Sequence, residues 1–159
     1  MRNYLLALPL FAALTLIGPA GAAEKTKDHD HGHTHAKKEA GPNGGRLLTA
    51  LEPHAEFLVL PDRRVQITFL DAQDKPVAPG NQIVVVTAGE RSAPTKLTFA
   101  LDGAVLRSNG PLPAGNDFPT VVQIKVNPAG RFVTEKFNLN LSVCPDCKHA
   151  EYACICAEH

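Results

Sequence analysis

Across residues 46–143 apolar side chains recur at every second position, in short runs cut by proline, glycine and aspartate. Alternation sends successive side chains to opposite faces, so these runs suit strands with one buried and one wetted face, not helices. Arg64-Val65-Gln66-Ile67-Thr68-Phe69 follows the pattern, and so does Lys96-Leu97-Thr98-Phe99-Ala100-Leu101. Phe137, Leu139, Leu141 and Val143 alternate with Asn138, Asn140 and Ser142. Residues 83–86 are apolar on both faces and read as a central strand. Further strands are expected near 47–51, 55–60, 104–107 and 121–126. Turn chemistry separates them at Pro61-Asp62, 71–76, Pro79-Gly80-Asn81, Asp102-Gly103, Asn109-Gly110-Pro111 and Pro128-Ala129-Gly130. Asp102-Gly103 reads as a two-residue hairpin loop.

About eight strands at this spacing predict an all-β fold, an immunoglobulin-like antiparallel β-sandwich. The thirteen prolines and twelve glycines argue against a helix bundle. The expected core is Phe57, Val59, Val65, Ile67, Phe69, Val85, Leu97, Phe99, Val122, Ile124, Phe137, Leu139 and Leu141. The domain plan is a signal peptide over 1–22, a disordered His-rich linker over 23–45, the sandwich over 46–143 and a Cys-rich tail over 144–159.

Residues 1–22 have the three parts of a secretory signal. Arg2 supplies the positive start, residues 5–17 form the apolar segment, and Gly18-Pro19 precede small residues at Ala20-Gly21-Ala22. The apolar run is shorter than the roughly 20 residues a bilayer span requires. Cleavage near Ala22 is expected, giving a periplasmic or secreted protein with no membrane attachment after cleavage. Sixteen basic residues balance sixteen acidic ones, so no net field recruits nucleic acid.

Residues 24–45 are rich in Lys, Asp, His and Gly, and composition of this kind cannot bury enough surface to offset the entropy of ordering. Within them lies Asp28-His29-Asp30-His31-Gly32-His33-Thr34-His35. His29, His31, His33 and His35 fall on one side of an extended chain, roughly 6.5–7 Å apart. Folding of the chain between them brings two or more imidazoles to one ion, and imidazole suits Zn, Cu and Ni. Binding by such a segment is modest, because ordering opposes it.

The four cysteines all lie at the other end: Cys144-Pro145-Asp146-Cys147, then Cys154-Ile155-Cys156, with His149 between them. Three readings stand. The first is a tetrathiolate or mixed Cys/His site for a transition metal ion, Cu or Zn, for which the C-x2-C knuckle is suited. The second is a pair of disulfides, the ordinary state of an even cysteine count in an exported protein. The third is a redox dithiol at Cys144/Cys147. Were residues 148–153 a straight helix, Cys147 and Cys154 would stand about 10.5 Å apart along the axis. A shared ion therefore requires the link to bend, or His149 to take a ligand position.

No catalytic arrangement stands out. Ser92, Ser108 and Ser142 lie outside any Gly-x-Ser-x-Gly setting, and Gly41-Pro42-Asn43-Gly44-Gly45 lacks the Lys and helix of a phosphate loop. His54, with Glu56 two residues on, reads as an inert strand-edge histidine. The expectation is a non-enzymatic protein.

Gly44-Gly45-Arg46-Leu47, His54-Ala55-Glu56-Phe57, and Val65-Gln66-Ile67-Thr68-Phe69-Leu70-Asp71 with Lys75-Pro76-Val77 carry a resemblance. Together they resemble the N-terminal periplasmic domain of heavy-metal efflux adaptor proteins, and related small stand-alone exported proteins. The resemblance implies metal ions and a metal-efflux complex as partners. It also implies a role in Cu/Zn-type heavy-metal buffering, resistance or delivery to an efflux system. Asn43 stands where the family's motif has its histidine. No stretch corresponds to the adaptor's coiled-coil hairpin and barrel, and the cysteine cluster is no part of the family pattern. The contrasting expectation is a disulfide-stapled structural or interaction module with no metal role.

Deleting residues 28–35 is expected to remove weak Cu(II) or Zn(II) binding that fades as pH falls through about 6.5, where the imidazoles protonate, while folding is unchanged. Titration calorimetry of the full and shortened chains checks this, and equal stoichiometry in both would contradict it.

Overall fold

A computed structural model describes residues 40–156. The elements in chain order are β1 (Arg46–Leu48), β2 (His54–Val59), β3 (Arg64–Leu70), β4 (Pro76–Val77), β5 (Ile83–Ala88), β6 (Thr95–Asp102), β7 (Val105–Pro111), β8 (Asp117–Lys125) and β9 (Val133–Asn140). One 3-10 turn, Glu151–Ala153, follows them. Among the described residues no helix is long and apolar enough to cross a membrane.

Every strand pairing is antiparallel, and the order is β1-β2-β3-β7-β6-β5-β8-β9, with β4 pairing β3. The first half of β6 pairs with β5 and its second half with β7, so this strand joins the two halves of the sheet. The strands thereby form a single path that nearly closes on itself. At the open seam Arg46 of β1 lies 4.7 Å over the Phe137 ring of β9, and its guanidinium stands 3.9 Å from Glu135.

The turns form where short polar residues and glycine predict them. Asp102 pairs with Val105, so the β6–β7 hairpin loop is Gly103-Ala104, one residue later than the sequence suggested, with Gly103 at φ +62°. In the turn after β3, Asp71 Oδ1 accepts the N–H groups of Gln73 and Lys75, both at 2.9 Å. Those bonds, Lys75 first, hold the Asp71 carboxyl below its ordinary range. Asn109-Gly110-Pro111 does not make the expected turn. It lies within β7, where the ladder slips between Arg64 and Gln66. Ser108 Oγ repairs the slip, accepting the Val65 N–H at 2.9 Å and donating to the Gly110 carbonyl at 2.6 Å.

The core holds Phe57, Val65, Ile67, Phe69, Leu97, Val122, Ile124 and Leu139 as expected, with Val59, Phe99, Phe137 and Leu141 packed against it. Val85 is the exception. Val84 and Val86 point inward, opposite Ile124 and Val122. A run apolar at every position carries no parity signal, so only the register with β8 selects which face is buried. Residues outside the expected core set also enter it: Leu48, Leu51, Leu112, Phe118, Tyr152 and Ala153. The chain on either side of 46–143 is therefore built onto the domain. Ala40 bridges Arg46, and Val143 bridges Ala150.

Phe69→Ala is expected to lower stability by about 3–5 kcal/mol, since the ring is fully buried. Val85→Ala should change it by about 1 kcal/mol or less. Denaturant titration checks the pair. Equal losses would contradict the assigned face of β5.

Candidate metal centre

β9 ends at Asn140, and the chain then doubles back in a tight knuckle. The Cys144 N–H donates to the His149 carbonyl at 2.8 Å, and the Lys148 N–H to the Cys144 carbonyl at 3.1 Å. Lys148 takes a left-handed φ of +66°, and its ammonium donates to the Pro145 carbonyl. The Glu151 N–H reaches the Ser142 carbonyl at 2.9 Å, and the 3-10 turn then delivers Cys154 and Cys156. This is the bend that a shared site requires. Cys147 and Cys154, seven residues apart in sequence, have sulfurs 3.6 Å apart.

All four sulfurs, of Cys144, Cys147, Cys154 and Cys156, lie within 4.8 Å of one another. Cys144 and Cys154 stand 3.5 Å apart, and Cys144 and Cys156 3.9 Å apart. A regular tetrahedron of thiolates around zinc, with bonds of about 2.3 Å, has edges of about 3.8 Å. A disulfide would bring a pair to about 2.05 Å. The cluster thus has the dimensions of a four-thiolate metal site. Cys144 and Cys154 are buried, and Cys147 and Cys156 reach the surface in part.

The thiols differ in how readily they ionise. Backbone N–H bonds from Ile155, and then from His149, pull Cys147 below the usual thiol range against the effect of burial. Cys156 is pushed up to about 12, first by the Cys154 thiol and then by desolvation. Cys154 is also raised: the Cys156 N–H favours its thiolate, but burial and the neighbouring thiols outweigh that bond. Crowded thiols resist holding charge together, and a cation placed among them reverses the balance.

Next to the knuckle lies a second polar assembly. Glu56 is fully buried, and its carboxylate is satisfied by the segment before β1. Oε1 accepts the N–H groups of Asn43 (2.8 Å) and Gly45 (2.9 Å), and Oε2 accepts Asn43 Nδ2 at 2.6 Å. A Cβ on Gly45 would collide with the Phe57 carbonyl, and Gly44 sits at φ +83°. The His149 ring packs against Gly44: its Nδ1 lies 3.5 Å from where a Cβ there would stand. Tyr152 ties the same corner to β2, its hydroxyl accepting the Val59 N–H at 3.0 Å and its ring meeting Phe57 edge-on. Burial pushes the Tyr152 hydroxyl up, with a smaller contribution from the Glu56 charge.

The structure therefore brings together four of the residues singled out from the sequence. His149 is not among the clustered ligands, and its side chain faces the Gly44 loop instead. His54 pairs with Glu52 at 3.0 Å. His29, His31, His33 and His35 lie outside the described residues, as does the predicted signal peptide. Tyr152 was not picked out from the sequence, and Glu56 was named only as the neighbour of His54 and within the resemblance motif. Glu56 occupies a position that alternation assigns to the wetted face of β2, and only the overlying segment buries it. No family model, curated protein or solved structure matches the chain.

Glu56→Ala is expected to lower stability by about 2–4 kcal/mol, because two backbone donors and the Asn43 amide lose their acceptor. Glu56→Gln should lose less, since Asn43 can rotate its amide and offer Oδ1 to the new donor. Denaturant midpoints of the two variants check this, and a Glu56→Gln loss as large as that of Glu56→Ala would contradict it.

Proposed function

We propose that this protein is an exported, non-catalytic metal-binding protein whose cysteine knuckle holds one thiophilic ion. The observation that carries the reading is the mutual approach of four sulfurs within 4.8 Å, on a scaffold that holds them through backbone hydrogen bonds. Cu and Zn head the candidates, because thiolates bind Cu(I) and Zn(II) well. The signal-like start and the alternating histidines support export, with the leader as a second, weaker site for the same class of ion. The resemblance to efflux adaptor domains supports buffering, resistance or delivery to an efflux complex as the role. The nearly closed β-sheet serves as an immunoglobulin-like scaffold for the site.

Mass spectrometry under native and denaturing conditions, with thiol labelling before and after a chelator, tests this. Four thiols that become labelled only once metal is stripped are the expected result. A denatured mass four hydrogens light, with no bound metal, would overturn it and leave a disulfide-stapled module.

A further inference from the structure

We infer that the ion of the cysteine cluster is a permanently held divalent ion of tetrahedral preference, of the Zn(II) or Cd(II) class. It acts as a bolt that holds the C-terminal segment over the open seam of the sheet. This rests on the metal-binding reading above and narrows it, for it assigns any transferable metal to other ligands.

Three features carry the inference. The first is the ligand set. Two sulfurs come from the knuckle and two from beyond the 3-10 turn, and the separations of 3.5, 3.6 and 3.9 Å bracket the edge of about 3.8 Å for a closed zinc tetrathiolate. Sites that pass metal on or do chemistry keep an open position, whereas here four protein ligands complete the shell. An ion satisfied by two or three thiolates would leave a thiol over at the cluster, two of whose members, Cys144 and Cys154, are buried.

The second is what the ion would close. Between Cys147 and Cys154 the chain inserts Tyr152 and Ala153 into the core, with exposures of 4% and 0%. This plug contains one short 3-10 turn, whose first residue has no side-chain cap. Tethering both of its ends to one ion replaces the local helical stability that so short a piece lacks. The third is where the plug sits. β1 pairs with β2 only across Ala55–Phe57, so the Val59 N–H relies on the Tyr152 hydroxyl, and Phe57 is flanked by Tyr152 and Phe137. Removing the plug uncovers an unpaired strand edge and an apolar seam. The rest of the sheet, β5 and β8 above all, keeps its own ladder.

The test uses the full, untagged chain purified from its native compartment. Amide hydrogen exchange is followed as isolated, after chelation under reducing conditions, and after adding back Zn(II), Co(II) or Cu(I). Chelation is expected to speed exchange by at least about tenfold across 144–156 and at Val59, and to leave 83–88 and 117–125 unchanged. Zn(II) and Co(II) should restore protection, and the Co(II) form should show the intense visible bands of a tetrahedral tetrathiolate. Cys156→Ser in the full chain should weaken the chelator-resistant ion by more than about 100-fold, beyond the effect of losing an outer-shell partner. Unchanged exchange at 144–156 on chelation would overturn the bolt, as would loss of protection throughout the sheet. Restoration by Cu(I) to the Zn(II) level, or a Co(II) form without tetrahedral bands, would overturn the assignment of the ion. An isolated chain with no ion and a mass four hydrogens light is a different failure, that of the metal-binding reading itself.

Discussion

An antiparallel sheet that curls towards closure without completing its ladder leaves two unpaired edges, and their backbone groups and apolar side chains must be covered by something. Here the edges are β1–β2 and β9, and the Phe57 ring stands at the middle of the gap. Phe137 meets it edge-on from β9 at 5.4 Å and Tyr152 from the C-terminal segment at 5.9 Å. Arg46 closes the rim, its guanidinium over the face of Phe137 and 3.9 Å from Glu135. The placement of the C-terminal segment follows from filling this gap.

The C-terminal segment covers it, a second segment folds over the opposite face of β2, and the two are held by different chemistry. Residues 41–45 are held by a buried carboxylate whose two oxygens take three hydrogen bonds, the arrangement that makes a buried charge tolerable. Residues 144–156 are held by backbone bonds and the Tyr152 plug, and they gather four sulfurs close enough to hold a cation. The two assemblies touch where His149 lies on Gly44.

Much of this was legible in the residues. Alternation located the long strands, and the turns formed at their Pro, Asn, Asp and Gly clusters. The cysteine spacing singled out the four thiols that cluster, and the axial distance along a hypothetical helix showed that a shared ion required the link to bend or His149 to take part. Other features were hidden for definite reasons. Val85 lies in a run with no polar neighbour to mark a face, so the register with β8 decided. Asn109-Gly110-Pro111 has turn chemistry but is absorbed by a slip in the β3–β7 ladder, which a local reading does not register. Glu56 alternates as a surface residue and becomes the most buried charge among the described residues only because the segment before β1 folds over it.

The residues alone determined the class of fold, because period-two burial admits few solutions, and they determined which side chains could serve as metal ligands, because thiols and imidazoles are scarce and were clustered. The tertiary structure decided which of them meet. It gathered four sulfurs without His149, and it made β6 join both halves of the sheet. These outcomes depend on contacts between segments far apart in the chain, such as Val59 with Tyr152 or Gly44 with His149, and no local pattern encodes a distance of that kind.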